Sequence, residues 1–481
     1  MDPRQPLAAL LPRLPEAHEA LPDDAPVALT LVLTEAGVDA RGTVEAWLAG
    51  HGFQVEAWKH ASRRLQVRGP AAGARTAFGL AWRTLSEGHR AAAGEPSVPA
   101  ELAPLVRGLL GLDSRPRLRP HLRAQAFAEA TAETGATQGQ GSTVADFMAR
   151  YAFPPGDGAG QRVGLLQLGG AVEPAELQTA FAALGLPVPD LRVVPVSGGD
   201  PAPSQSARWE VALDVQVLGA VVPKAALTVY IAPNSADGLL DLVEAALAGG
   251  PDQPTVLSMS WGAAEADWGA LELELVADAL QKAGELGVSV LVSSGDEGSL
   301  DGRADGKQHV NFPASCPWVT AVGGTQRAGD QEVVWNALAE QKGATGGGVS
   351  DFFDLPDWQK AAGVPPSAND GQVRRGVPDL AAHAAEAGGY RVFVDGQWRV
   401  LGGTSGAAPL LAGLVARINA ARAKDGKGPL GFLNPVLYGS ARSALRPVTE
   451  GDNPAYRATE GYSACTGLGV PDGAALLKAL S

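Results

Sequence analysis

Cysteine is almost missing. Cys316 and Cys465 are the only two in 481 residues, too few for a disulfide framework, and both read as buried thiols. Long hydrophobic runs are also missing: no stretch of about 18 apolar residues occurs, which leaves no candidate membrane-spanning helix. The N-terminus, Met1-Asp2-Pro3-Arg4-Gln5-Pro6, lacks a basic segment followed by an apolar core, so no signal peptide is visible. Positive charge is scarce, with 38 Lys+Arg against 52 Asp+Glu, a formal net charge of −14. Phosphate backbones need clustered cations, so nucleic acid is not an expected partner. Charged residues of either sign make up only 19 %, whereas glycine is abundant at 61. That compact, low-charge profile suits a large soluble protein able to survive acid. The chain exceeds the usual length of about 150 residues for one domain, so two are expected.

Against this background one helix-like run stands out, Trp209 to Val222. It is apolar on almost every side, which predicts burial. Its polar members are Glu210, Asp214 and Gln216. Residues four apart share a helix face, so Glu210 and Asp214 project together. Two carboxylates side by side in low dielectric cannot both stay ionised, and such pairs serve as acid/base machinery. The bland reading, an acidic pair on a wet helix face, stays open on the motif alone.

A second run is Gly402-Gly403-Thr404-Ser405-Gly406-Ala407-Ala408-Pro409, followed by an amphipathic stretch to Ala421. The glycines permit a tight turn and close approach of a ligand, and Ser405 falls near a helix N-terminus whose free N–H groups can hold developing negative charge. Gly-Thr-Ser before a helix is equally an ordinary N-cap. A nucleophilic serine needs a base. His309 and His383 are the histidines of the last two-thirds of the chain, and neither lies in a Gly-rich strand-to-helix context. The carboxyl pair can supply the base instead.

The organisation changes along the chain. Val27 to Leu33, Phe53 to Trp58 and Arg64 to Val67 read as strands, and Thr43 to Ala49 and Ala71 to Phe78 as helices, a small α+β unit of ferredoxin-like order. Arg115 to Arg123 begins a stretch rich in Arg and Pro, then Gln, Gly and Thr, to about Gly141; beside an acidic body it reads as a solvated linker. From Val163 onward apolar strands (Val163–Leu168, Leu227–Ile231, Thr255–Met259, Val288–Val292, Trp318–Val322) alternate with helices (Pro174–Leu184, Trp209–Val222, Leu239–Leu247, Trp268–Leu286, Ala407–Ala421). This is the pattern of a parallel sheet covered on both faces, with ligands bound beyond the strand C-termini. Trp261 and Asp296 fall in that zone, although Gly-Asp-Glu-Gly around Asp296 is also an ordinary turn.

The ordered set of motifs resembles the sedolisins, the serine-carboxyl peptidases, of the kumamolisin type. Its members are Glu210-Val211-Ala212-Leu213-Asp214, Ser258-Met259-Ser260-Trp261-Gly262, Ser294 to Ser299, Gly346-Gly347-Gly348-Val349-Ser350, Gly376 to Asp379, Gly403-Thr404-Ser405 and Cys465 to Gly469. The resemblance implies a subtilisin-like, mostly parallel α/β fold over residues 142–481, a propeptide over 1–112 and a linker with a processing site over 113–141. It implies Ser405 as nucleophile, Glu210 as base, Asp214 as its orienting partner and Asp296 as a protonated donor to the oxyanion. It also implies substrate contacts at Trp261, Gly262, Asn311, Gly347 and Gly348, with Gln167 supporting the carboxyl pair. Expected partners are peptide or protein substrates and the chain's own propeptide as intramolecular inhibitor, with no membrane. Sedolisins are exported, so an extracellular location is expected despite the missing signal. A latent non-processing scaffold and a Ser-His-Asp hydrolase using His309 or His383 remain as alternatives.

Four positions depart from the family pattern. Pro447 and Ser463 stand where sedolisins carry two calcium-binding aspartates, so the metal site should be lost and no cofactor is expected. Gln167 replaces an acidic residue beside the carboxyl pair, removing one shared proton. Asn311 replaces an aspartate of the primary specificity pocket, which should weaken preference for Arg or Lys.

Overall fold

The computed structural model describes residues 4–11, 19–124, 141–200 and 202–481. They form two compact units. The first comprises the chain to Arg117 together with Asn234–Leu240 and Trp268–Ala279. Its centre is β1 (Pro26–Leu33), α1 (Arg41–Gly50), β2 (Gln54–Lys59), β3 (Arg64–Pro70), α2 (Ala71–Phe78) and β4 (Val106–Leu110). The antiparallel sheet runs β2-β3-β1-β4, the ferredoxin-like order expected from the sequence. Alternation along β1 buries Leu29, Leu31 and Leu33 with Val44, Leu48, Val67 and Phe78, and each such side chain contributes roughly 1.5–3 kcal/mol. The fully buried Arg64 is ion-paired to Asp237 at 2.9 Å, which in turn accepts from the Thr30 hydroxyl at 3.0 Å.

The second unit carries the large sheet. Its strands are β5 (Arg162–Gln167), β6 (Asp190–Pro195), β7 (Ala226–Ile231), β8 (Val256–Met259), β9 (Ser289–Ser293), β10 (Thr320–Ala328), β11 (Gln331–Val334) and β12 (Leu380–His383). The order is β6-β7-β5-β8-β9-β10, with β12 parallel and β11 antiparallel to β10. Every other neighbouring pair is parallel. Two helices matter most, α3 (Gln205–Val221) and α4 (Thr404–Lys424). Ser204 caps α3 by accepting from the Ala207 N–H at 3.2 Å, and nearly all residues from Glu210 to Val221 are buried. The helix α4 packs on α3 and on β8, β9 and β10.

The sheet corrects the sequence reading in two ways. The strand expected at Trp318–Val322 runs instead from Thr320 to Ala328, and β6, β11 and β12 were not anticipated. Leu118–Ala124 is not a solvated linker: it belongs to the second unit and is paired through its backbone on both sides of Ser405, as described below. Of the rest of the expected linker, 113–117 belongs to the first unit, and 125–140 lies outside the described residues.

Candidate active site

Helix α3 delivers the carboxyl pair. Glu210 and Asp214 are both fully buried, one turn apart on the face the sequence predicts. Asp214 accepts on both oxygens: the Ser260 hydroxyl donates to Oδ1 at 2.9 Å and Gln167 Nε2 donates to Oδ2 at 2.7 Å. The amide orientation of Gln167 is fixed by Trp261, whose indole N–H can only donate and meets Gln167 Oε1 at 2.8 Å, leaving Nε2 for Asp214. Burial raises the Asp214 pKa, opposed by these two donors. Glu210 is raised well above the ordinary carboxyl range, by burial first and the charge of Asp214 second, while the nearby hydroxyls of Ser405 and Ser260 pull the other way. Neither Glu210 oxygen has a hydrogen-bond partner among the described residues. With Asp214 committed as an acceptor, the proton shared by the pair rests on Glu210.

The first turn of α4 presents Ser405. Backbone N–H groups in a helix's first turn have no intrahelical acceptor, and the Ser405 N–H donates at 3.0 Å to the carbonyl of His121. The Ser405 hydroxyl donates to the Ser260 carbonyl at 3.2 Å. His121 belongs to an extended strand that crosses the site. Arg119 and Pro120 pair antiparallel with Gly262 and Trp261, Arg123 and Ala124 pair antiparallel with Gly402 and Leu401, and the His121 N–H donates to the Ser260 carbonyl at 3.0 Å. The His121 ring is buried, with Nδ1 at 2.6 Å from Ser293 Oγ. Its pKa falls to about 3, chiefly through burial and then the charges of Arg119 and Arg123.

Asp296 follows β9 and faces the same carbonyl. Its Oδ1 accepts from the Thr404 N–H and hydroxyl, both at 2.8 Å. Its Oδ2 is buried without a hydrogen-bond partner among the described residues and lies with the His121 oxygen in the space a Cβ on Gly403 would fill. Glycine is therefore required at 403, where φ is +101°, for the strand to approach. Burial lifts the Asp296 carboxyl to about 7 against the opposing effects of Arg123 and the two Thr404 donors. The Ser405 N–H holds the His121 oxygen and Oδ2 lies close by; an oxyanion hole needs two such donors, and Oδ2 could be the second only when protonated.

Trp261 and Gly262 thus line the strand. Asn311 lies beside them, its Oδ1 against Gly262 and its Nδ2 donating to Asp301 at 3.1 and 3.3 Å. Side chains at Gly347 and Gly348 would strike Ala464, Val377, Gln308 and Tyr456, so close packing requires glycine at both positions. Neither histidine alternative reaches Ser405: His309 Nε2 is paired with Asp305 at 2.9 Å, and the buried His383 stacks on Phe147. Sequence reasoning missed Ser260, Thr404, His121 and Arg123. The first two sit inside motifs already recognised and needed only their hydroxyls considered; the last two, in an Arg/Pro-rich stretch, carry no chemical signature.

This fold and site define a serine-type peptidase of subtilisin-like architecture with carboxyls in place of the usual histidine. Residues 204–431 match the subtilase family and residues 33–115 the activation domain of pro-kumamolisin. The chain is 40 % identical to kumamolisin of Bacillus sp. (strain MN-32) over 466 residues, spanning 92 % of this chain and 84 % of that protein. It is 32 % identical to sedolisin of Pseudomonas sp. (strain 101) over 403 residues, 78 % of this chain and 66 % of that one. The crystal structure of Pseudomonas sedolisin complexed with two molecules of pseudo-iodotyrostatin superposes with a TM-score of 0.62 at 30 % identity, covering 71 % of this chain and 98 % of the other. The chain belongs to the sedolisin family, is kumamolisin-like and carries the family's propeptide.

Proposed function

We propose that the protein is an acid-active serine-carboxyl endopeptidase made as a self-processing zymogen, that it cuts itself between His121 and Leu122, and that it works without calcium. The observation that carries this reading is the His121 carbonyl held at 3.0 Å by the Ser405 N–H and faced by Asp296 Oδ2. A peptide carbonyl in that position is the one Ser405 attacks. In this mechanism Glu210 passes its resting proton to Asp214, takes the Ser405 proton as the hydroxyl turns from the Ser260 carbonyl, and returns it to the leaving amine of Leu122. Asp296 donates to the oxyanion only while protonated, and a carboxyl at about 7 is increasingly so as pH falls below that value. Acid activity follows from that sign. Until cleavage, the strand occupies the cleft and excludes other substrates, which makes the propeptide segment its own inhibitor.

Calcium independence rests on the loop around Pro447 and Ser463. Proline offers only a carbonyl. The Ser463 hydroxyl accepts from the Thr466 N–H at 3.2 Å and is 3.1 Å from the Thr466 hydroxyl. The Arg442 guanidinium lies against Gly461, an unfavourable neighbour for a divalent cation. These residues do not fit calcium, which requires several oxygens including carboxylates. Action outside the cell belongs to this reading as well; among the described residues no helix is long and apolar enough to cross a membrane.

The test is intact-mass analysis of the purified full chain after acidification. The expected result is an early product beginning at Leu122, absent from Ser405→Ala, Glu210→Gln and Asp214→Asn chains that remain folded. A Ser405→Ala chain that shortens at the wild-type rate, with no contaminating protease, would sink the assignment.

A further inference from the structure

Arg123 has no part in the chemistry just described, yet its guanidinium lies against the oxyanion acid. Its Nε is 3.8 Å from Asp296 Oδ2, and both atoms are buried without a hydrogen-bond partner. Its Nη2 donates to the Asp296 main-chain carbonyl at 3.1 Å and to the Glu297 carboxylate. The backbone of Arg123, paired to Gly402, holds the side chain there as long as the strand is uncut.

Asp296 Oδ2 thus has two competing neighbours. As a carboxylate it is attracted to the Arg123 cation; as an acid it donates to the His121 oxygen. Oδ1 cannot take the proton without losing an acceptor role toward Thr404. The charged and titratable groups around this atom are few. Arg123 comes from the strand, Glu297 from the loop of Asp296 itself, and Glu210 from α3. The Glu386 pKa is raised chiefly by burial, opposed by the charges of Lys342 and Arg123. Arg123 is the cation among them that favours ionised Asp296; Glu297 acts the other way.

We propose that Arg123 is a positioning residue for self-processing: its guanidinium, 3.8 Å from Asp296 Oδ2, favours the carboxylate form of Asp296 in the uncut chain, so that the strand is at once substrate and brake, and acid releases the brake. The proposal rests on the self-processing reading above. Charge is conserved in the switch, since the one proton taken up sits on Oδ2 and Arg123 stays protonated throughout, its interaction passing to Glu297.

The experiment follows loss of the full-length chain by intact mass across pH 3 to 8 and fits both a plateau rate and a midpoint. Arg123→Gln should raise the midpoint by about one pH unit, the usual reach of a cation a few ångströms from a carboxylate. Arg123→Lys should stay near wild type, and Glu297→Gln should lower the midpoint. A poorer fit of the strand alone would change the plateau and leave the midpoint in place, which would overturn the proposal. So would a lower midpoint for Arg123→Gln. A second readout does not need cleavage: the carboxyl carbon resonance of Asp296, titrated in Ser405→Ala and in Ser405→Ala/Arg123→Gln chains, should show the same upward displacement. Wild type that never shortens would refute self-processing alone; equal Asp296 titrations in the two uncut chains would refute the brake alone.

Discussion

At the scale of single residues, the site works by committing each polar atom to one partner and leaving one reactive atom free. Thr404 takes Asp296 Oδ1, so Oδ2 is free to hold a proton. Trp261 takes Gln167 Oε1, so the amide must donate to Asp214. In Asp296→Asn the amide oxygen should keep the Thr404 bonds and the NH2 group should take the place of Oδ2. That donor persists at every pH but is weaker than a neutral acid and sits beside Arg123. Turnover of the processed enzyme on a peptide should fall by about 100-fold, the usual cost of impairing an oxyanion donor, with little change in KM. Asp296→Ala, with no donor, should be worse, and the loss of activity toward neutral pH that Asp296 causes should vanish in the Asn variant. Steady-state kinetics across pH decide this; equal, mild defects in both variants would make Asp296 a turn residue. The candidate catalytic residues Glu210, Asp214, Asp296 and Ser405 could be singled out in the sequence because each lies in a short motif with its own chemistry. Arg123 and His121 were not, because their roles come from where the backbone runs.

At the scale of elements, the carboxyl pair is held in place by α3, and α3 is held by α4. The two helices approach closely at Gly413, where a methyl group would overlap Val221 Cγ1 and Cβ. Gly413→Ala should therefore push α3 away and cost about 1–3 kcal/mol, the range for overpacking a core. Because Val221 and Asp214 share one rigid helix, activity should fall with stability. Val221→Ala opens room, so the double variant should recover part of both losses, a coupling of opposite sign to the single costs. Chemical denaturation of the four chains in a Ser405→Ala background measures the cycle, and strictly additive losses would refute the contact. Helices such as α3 could be read from the sequence because apolar residues surround the pair for four turns. Its first turn, Gln205 to Arg208, is polar and mostly exposed, which hid the start by four residues. The strand β6 could not be read: Asp190–Pro195 is largely exposed at the sheet's edge and shows no apolar run. Leu380–His383 is only four residues, two of them alanine, too short and too small to separate from a loop. The stretch from Leu118 to Ala124 misled most, since Arg and Pro suggest a solvated chain. Main-chain pairing with Trp261–Gly262 and Leu401–Gly402 is indifferent to that composition.

At the scale of the whole molecule, a zymogen that works in acid, as proposed above, gains from burying acids. Glu210, Asp214, Asp296 and Asp301 all have raised pKa values, each chiefly through burial. For a carboxyl whose folded pKa exceeds its unfolded value, the stabilisation is complete below the unfolded value of about 4 and is lost as pH rises through the folded one. Asp296 and Asp301 place that loss near about 7. His121 works in reverse: with a folded pKa of about 3, its stabilisation is complete above its unfolded value of about 6.5 and fades as pH falls toward 3. Four acids oppose two histidines, His121 and the buried His383, whose folded pKa is about 4, between pH 7 and 5, so acidification should stabilise the uncut chain over that interval. Below about 4 the acids contribute no further change, while His121 continues to cost until about 3 and the exposed Asp305, held down at about 2, begins to. The Ser405→Ala zymogen should therefore melt several degrees higher at pH 5 than at pH 7.5 and pass through a maximum before pH 3. Metal that binds only the folded state would add stability by mass action, and in the reading proposed above Pro447 and Ser463 stand in place of the aspartates that would hold it. Excess chelator and millimolar calcium should accordingly leave the whole curve in place. Scanning calorimetry of the Ser405→Ala chain across pH, with each addition, tests both halves at once. A melting temperature that falls steadily from pH 7.5 to 5 would mean that His121 and other groups outweigh the buried acids. A calcium-dependent rise would mean that the carbonyls of that loop bind the ion despite Arg442.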